Sequence, residues 1–98
     1  MTKKQDILIK KIYKQNNPIY NLHKAAEEFQ ELALVLTQLA LKPQKVDHQE
    51  VIDEIGDCKI RLRILEQIFD NKKIEERIKF KLGNFEGYLK EGKYKGGI

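Results

Sequence analysis

Apolar residues recur along this chain at three- and four-residue steps, the period of helices laid against a core. The clearest run covers residues 21–41, where Leu22, Ala25, Ala26, Phe29, Leu32, Ala33, Leu36, Leu39 and Ala40 form one broad stripe. Residues 48–70 place Val51, Ile55, Cys58, Leu62, Leu65 and Phe69 on one face. Residues 2–15 carry Ile7, Leu8, Ile12 and Tyr13 at similar spacing, and residues 74–90 carry Ile74, Ile78, Leu82, Phe85 and Leu89. Asn16, Asn17 and Pro18 read as the stop of the first helix, and Pro43 as the stop of the second. Asp47, with Glu50 three residues on, reads as a capping box opening the third. There is no strand-type alternation and no internal repeat. The pattern predicts an all-α fold of four helices, antiparallel because their connections are short. It forms a single domain over residues 1–98, with 92–98 as a loose tail.

Two of these helices carry more apolar surface than one core face needs. Ile60, Ile64 and Ile68 make a second stripe on the third helix, and Leu34, Val35 and Leu41 lie off the main face of the second. A domain this small buries only about 60–65% of its unfolded surface. An unpaired apolar face therefore predicts a homodimer or homotetramer.

Composition narrows the setting. The chain is 41% hydrophobic and 35% charged. Its longest apolar stretch, LALVLTQLAL, is shorter than the roughly 20 residues that cross a bilayer. Lysines break the apolar patch near the N-terminus, so no signal peptide and no membrane partner are expected. A lone cysteine, Cys58, excludes an internal disulfide and fits a cytoplasmic location. The formal charge of +4 comes with lysines clustered toward both ends, a distribution that attracts anions.

The chemistry sits in HKAAEEFQEL and EIGDC. Residues three apart on a helix are neighbours, so Glu28 and Glu31 share one edge of the second helix's stripe, with Lys24 one turn earlier. Glu54 and Asp57 repeat the arrangement on the third helix, with Glu50 a turn before Glu54 and Arg61 a turn after Asp57. Antiparallel packing brings the two edges together at the margin of the core. Four carboxylates there repel one another, and a hard divalent cation is the partner that all-oxygen ligands suit.

These residues resemble the MazG-like, all-α nucleoside triphosphate pyrophosphohydrolases, whose hallmark is E-E-x-x-E, a spacer, then E-x-x-D. Glu27, Glu28 and Glu31 match the first half; Glu54 and Asp57 match the second, after a spacer of 22 residues. Lys24 matches a lysine common three residues before the glutamate pair. The C-terminal FKLGNFEGYLKEGKY is similar to a last-helix pattern of small members, and the resemblance covers about residues 20–94. Asn84 and Gly87 stand in a helix where the family often carries arginine, while Lys81 remains. The resemblance implies an antiparallel four-helix bundle completed by oligomerisation. It implies Mg²⁺, with Mn²⁺ as a substitute, held by Glu28, Glu31, Glu54 and Asp57. It also implies cleavage of a nucleoside triphosphate to monophosphate and pyrophosphate, with Glu27 among the catalytic carboxylates. Lys24, Arg61 and Lys81 are then the substrate-binding cations.

Other readings stand beside this one. A protein of the same fold that binds nucleotide without cleaving it is one. A small basic nucleic-acid binder is a lesser one, because the lysine clusters lack aromatic interleaving. His23 and His48 have no partner at metal-ligand spacing. Cys58 reads as core packing. Tyr13, Tyr20, Phe80 and Tyr88 are each able to stack on a base. No Gly-rich phosphate loop, Ser-His-Asp set or Cys/His zinc pattern is present.

Overall fold

In a computed structural model, residues 1–92 are described, and all the regular structure among them is helical. The expected loose tail lies almost wholly outside these residues. Four α-helices follow in order: α1 (Lys3–Gln15), α2 (Pro18–Leu41), α3 (His48–Ile68) and α4 (Asn71–Lys90), with one 3₁₀ turn at Pro43–Lys45. None is long and apolar enough to cross a membrane. The chain divides into two compact units, Met1–Ile68 and Phe69–Ile98.

The helix starts follow local chemistry. Thr2 opens α1 with a capping box: its hydroxyl accepts from the Gln5 amide at 3.1 Å, and its own amide donates to Gln5 Oε1 at 2.9 Å. Asn17 caps α2 by accepting from the Tyr20 amide at 2.8 Å. Pro18 is the first residue of α2 rather than part of a stop. Its missing N–H is one the first turn leaves unpaired anyway, so α2 begins three residues earlier than its apolar pattern. Before α3, Asp47 accepts from the Gln49 amide at 3.0 Å, and the Glu50 amide goes to the Asp47 carbonyl. Asp70 caps α4 by accepting from the Lys72 and Lys73 amides.

In the first unit α2 and α3 pack antiparallel. Val35 clusters with Val51 and Val46, flanked by Leu32 and Leu39, while Glu28 lies beside Cys58. The facing positions are Asn21, Ala25, Glu28, Leu32, Val35 and Leu39 on α2, and Val51, Glu54, Cys58, Arg61, Leu65 and Ile68 on α3, all buried or half-buried. Both sets repeat at alternating three- and four-residue steps, the seam of a coiled-coil-like pair.

This seam is narrower than the stripes expected from sequence, and it is turned by one position. Val35, expected off the main face, is 5% exposed, whereas Leu36 keeps 45% of its surface. Ile64, assigned to a second stripe, is the most buried apolar side chain, while Ile55, Leu62 and Phe69 are exposed. The cause is that each helix carries two adjacent apolar heptad rows, and periodicity alone does not say which faces inward. A second consequence concerns charge: Glu28 and Glu54 occupy the seam itself, not its margin.

Helix α1 packs on α3 through the buried Ile9. Arg63 bridges the two, with Nη2 3.4 Å from Asp6 and Nη1 3.2 Å from Glu66. In the second unit, α4 carries no buried residue, and Ile78, Leu82 and Leu89 are exposed along it.

Candidate metal centre

A turn of α2 and a turn of α3 build the centre. Glu28 projects from α2, Glu54 and Asp57 from α3. One carboxylate oxygen of each lies within 4.8 Å of the others. Glu28 Oε2 and Glu54 Oε2 are buried and have no hydrogen-bond partner among the described residues. A buried acceptor without a donor is costly, and two side by side in a cluster of acids cost more. Repulsion adds to the effect of burial on these two carboxyls. Burial, then the charges of Glu31 and Asp57, raise the Glu28 carboxyl above its ordinary range, against the opposing pull of Lys24 and Arg61. Burial, then Glu31, Glu28 and Asp57, raise Glu54.

Of the four ligands expected from sequence, the structure gathers Glu28, Glu54 and Asp57. Glu31 is exposed and outside the triad, yet near enough to be the foremost charge acting on both half-buried glutamates. Glu27 points away from the seam and holds Lys24, whose Nζ stands 3.3 Å from its Oε1. Lys24 thus pairs with the glutamate three residues on, not four. Arg61 lies at the seam with Nη1 buried and without a hydrogen-bond partner among the described residues. With Glu28, Asp57 and Ile60 it lines a shallow depression. Lys81 belongs to the second unit, where its Nζ stands 5.6 Å from the Phe85 ring centre. His23 is exposed. Cys58 is buried, as expected, with its Sγ donating to the Glu28 carbonyl at 3.3 Å.

Sequence reasoning passed over Ile60 as a wall of this depression and Asn21 as a buried polar side chain two turns from Glu28. Their one signal is position: Asn21 falls on the same heptad row as Glu28, and Ile60 adjoins Arg61.

The donor set is all oxygen, anionic, partly dehydrated and unsatisfied, which suits a hard divalent cation such as Mg²⁺ or Mn²⁺ better than a soft, thiolate-seeking metal. A cation there would supply the missing partner for both buried oxygens. No protein-family model, curated protein or solved structure matches the chain.

Proposed function

We propose that the protein is a divalent-cation-dependent nucleoside triphosphate pyrophosphohydrolase that cuts the α–β phosphoanhydride and releases pyrophosphate. The observation that carries this reading is the pair of buried, unpartnered glutamate oxygens beside Asp57 in a helix pair whose acidic spacing resembles the MazG-like enzymes. Mg²⁺, or Mn²⁺ in its place, is the cofactor of this reading. Glu28, Glu54 and Asp57 would hold it, with Glu31 alongside. Bound there, it would neutralise phosphate charge and acidify an attacking water.

The chain's own residues divide the remaining work. Arg61 has a guanidinium nitrogen without a hydrogen-bond partner among the described residues, and a phosphate oxygen suits a guanidinium as its partner. Lys24 adds positive charge at the same end of the site while anchored to Glu27. Since Glu27 is occupied by Lys24, Glu31 is the carboxylate left to take the proton of the attacking water. Ile60 and the seam behind it keep one side of the depression apolar, which strengthens the electrostatics within. Lys81 remains a candidate substrate contact by resemblance.

The test is pyrophosphate release from a panel of nucleoside and deoxynucleoside triphosphates, with Mg²⁺ and with chelator. Cation-dependent release with the monophosphate as co-product is expected. Glu28→Gln and Asp57→Asn should each abolish it while leaving the helical circular dichroism intact. Nucleotide binding with no release from any member would replace this reading with that of a non-catalytic binding protein.

A further inference from the structure

Helix α1 holds the whole formal charge of the chain. Its five lysines and one aspartate make +4, so the rest of the chain is formally neutral. Burial decides which way those charges point. Ile9 is buried on the side packed against α3, and Asp6, Ile12, Tyr13 and Asn16 around it are half-buried. Lys3, Lys4, Lys10, Lys11 and Lys14 are all exposed. Asp6, the one acid of the helix, is turned to Arg63. The outer face is therefore uniformly basic.

Local chemistry opposes this arrangement. Lys3 and Lys4 are the first two residues of α1, where the helix dipole disfavours positive charge. Lys10 and Lys14, one turn apart, repel each other. None of the five has an ion-pair partner among the described residues. No charge interaction within the chain accounts for their placement, and an anion outside it would.

Geometry selects the anion. At 3.6 residues per turn, Lys3, Lys10 and Lys14 form one row on α1, and Lys4 and Lys11 form a second about 90° round the helix. Ile7 alone stands between them. We propose that α1 lies in the major groove of double-helical DNA, with one lysine row on the phosphates of each strand and Ile7 toward the base edges. That groove is about 12 Å wide and admits a helix, which measures about 10–12 Å across with its side chains. Entry is open, because the buried Ile9 attaches α1 to the fold on the side away from Ile7. The arc between the rows holds no arginine, asparagine or glutamine to read a base, so the duplex is recognised and its sequence is not. Double-helical RNA fits less well, since its major groove is deep and narrow. A bilayer also fits less well. An interfacial helix needs a broad apolar face, and that face of α1 is packed on α3. The carboxylate cluster lies on other helices, so this surface acts whether or not the cluster binds a cation or cleaves nucleotide.

Fluorescence anisotropy tests it, with a labelled, mixed-sequence DNA duplex of about 20 base pairs, in chelator, as sodium chloride rises from about 50 mM to about 200 mM. Five phosphate contacts predict a slope of about −4.5 in log affinity against log salt, a weakening of about 500-fold over that range. Lys4→Gln/Lys11→Gln should flatten the slope by about 2 and leave the helical circular dichroism unchanged. Lys72→Gln/Lys73→Gln removes the same charge from α4 and should leave the slope as it is. The RNA duplex of the same sequence should bind at least about 10-fold more weakly. No DNA binding at the lowest salt, or equal flattening by the two double variants, overturns the proposal. Equal affinity for RNA overturns the groove placement. Phosphatidylserine vesicles that displace the duplex at equal phosphate concentration would reassign the face to a membrane surface.

Discussion

The thiol of Cys58 donates to the backbone carbonyl of Glu28 across 3.3 Å, joining α3 to α2 directly behind the carboxylate cluster. Packing at this point and the spacing of the acids are therefore one problem. Burial, and then the charges of Glu28 and Glu54, push the thiol pKa up, so it stays protonated and able to donate. Cys58→Ala should cost about 1–2 kcal/mol in urea unfolding, through the small cavity and the lost hydrogen bond. In the native protein the thiol should react with a disulfide reagent far more slowly than in the denatured chain. Equal rates would show that the seam opens freely.

Charge repulsion between Glu28, Glu54 and Asp57 makes the cation-free fold weaker than its packing allows. In the presence of chelator, Glu54→Gln should raise the melting temperature, because it removes a desolvated like charge. Adding Mg²⁺ or Mn²⁺ should stabilise the wild-type protein, by about 2.7 kcal/mol at one hundred times the dissociation constant. The same addition should scarcely move Glu54→Gln. Thermal melts of both proteins with and without cation decide the matter; identical shifts in the two would place the cation elsewhere.

The sign of the pH dependence follows from the two raised carboxyls. Their folded-state values lie above the ordinary 4.5, so the native state holds these protons more tightly than the unfolded chain does. Their favourable contribution is complete below the unfolded value and is lost as pH rises through the folded values. Relative to a Glu28→Gln/Glu54→Gln double variant, cation-free wild-type protein should lose urea resistance as pH rises above about 4.5. Saturating cation should oppose that loss, since it competes with protons for the same oxygens. Urea midpoints for both proteins across this range provide the check, and parallel curves would contradict it.

Arg61 separates substrate handling from cation holding. Arg61→Gln should lower kcat/KM by about 10²-fold, the scale for removing one well-placed donor at a developing charge. Stabilisation by Mg²⁺ alone should survive. Steady-state kinetics paired with thermal shift distinguishes the roles; loss of both would make Arg61 a structural counter-charge for the acids.

Sequence patterning carried the helical class and the placement of all four helices, because these depend on spacing along one chain; of the four carboxylates it expected together, Glu28, Glu54 and Asp57 are gathered and Glu31 stands outside. It misread what depends on a neighbour. Val35 and Leu36 are equally apolar and adjacent, and only the position of α3 decides that Val35 is buried. Ile64 and Leu62 pose the same choice on α3, settled partly by α1. Lys24 had glutamates at both three and four residues' distance, and the inward turn of Glu28 left Glu27 as its partner. Pro18 resembled a terminator because its role as a first helical residue shows only with Asn17 in capping geometry.

Asn21 carries a consequence of its own. It is fully buried at the seam, its Nδ2 reaching the Tyr13 carbonyl at 3.5 Å. A heptad row of interchangeable aliphatic residues permits sliding: moving one helix by seven residues, about 10 Å, replaces one apolar contact with another. A buried amide does not permit it, because its one acceptor sits at a single place on α1. Asn21 thereby acts as a vernier mark. It sacrifices some hydrophobic stabilisation for a unique alignment, the use for which a lone buried polar residue is best attested. The beneficiary stands two turns along the same row: Asn21 ties α2 to α1, α1 packs in turn on α3, and Glu28 lies beside Glu54 and Asp57.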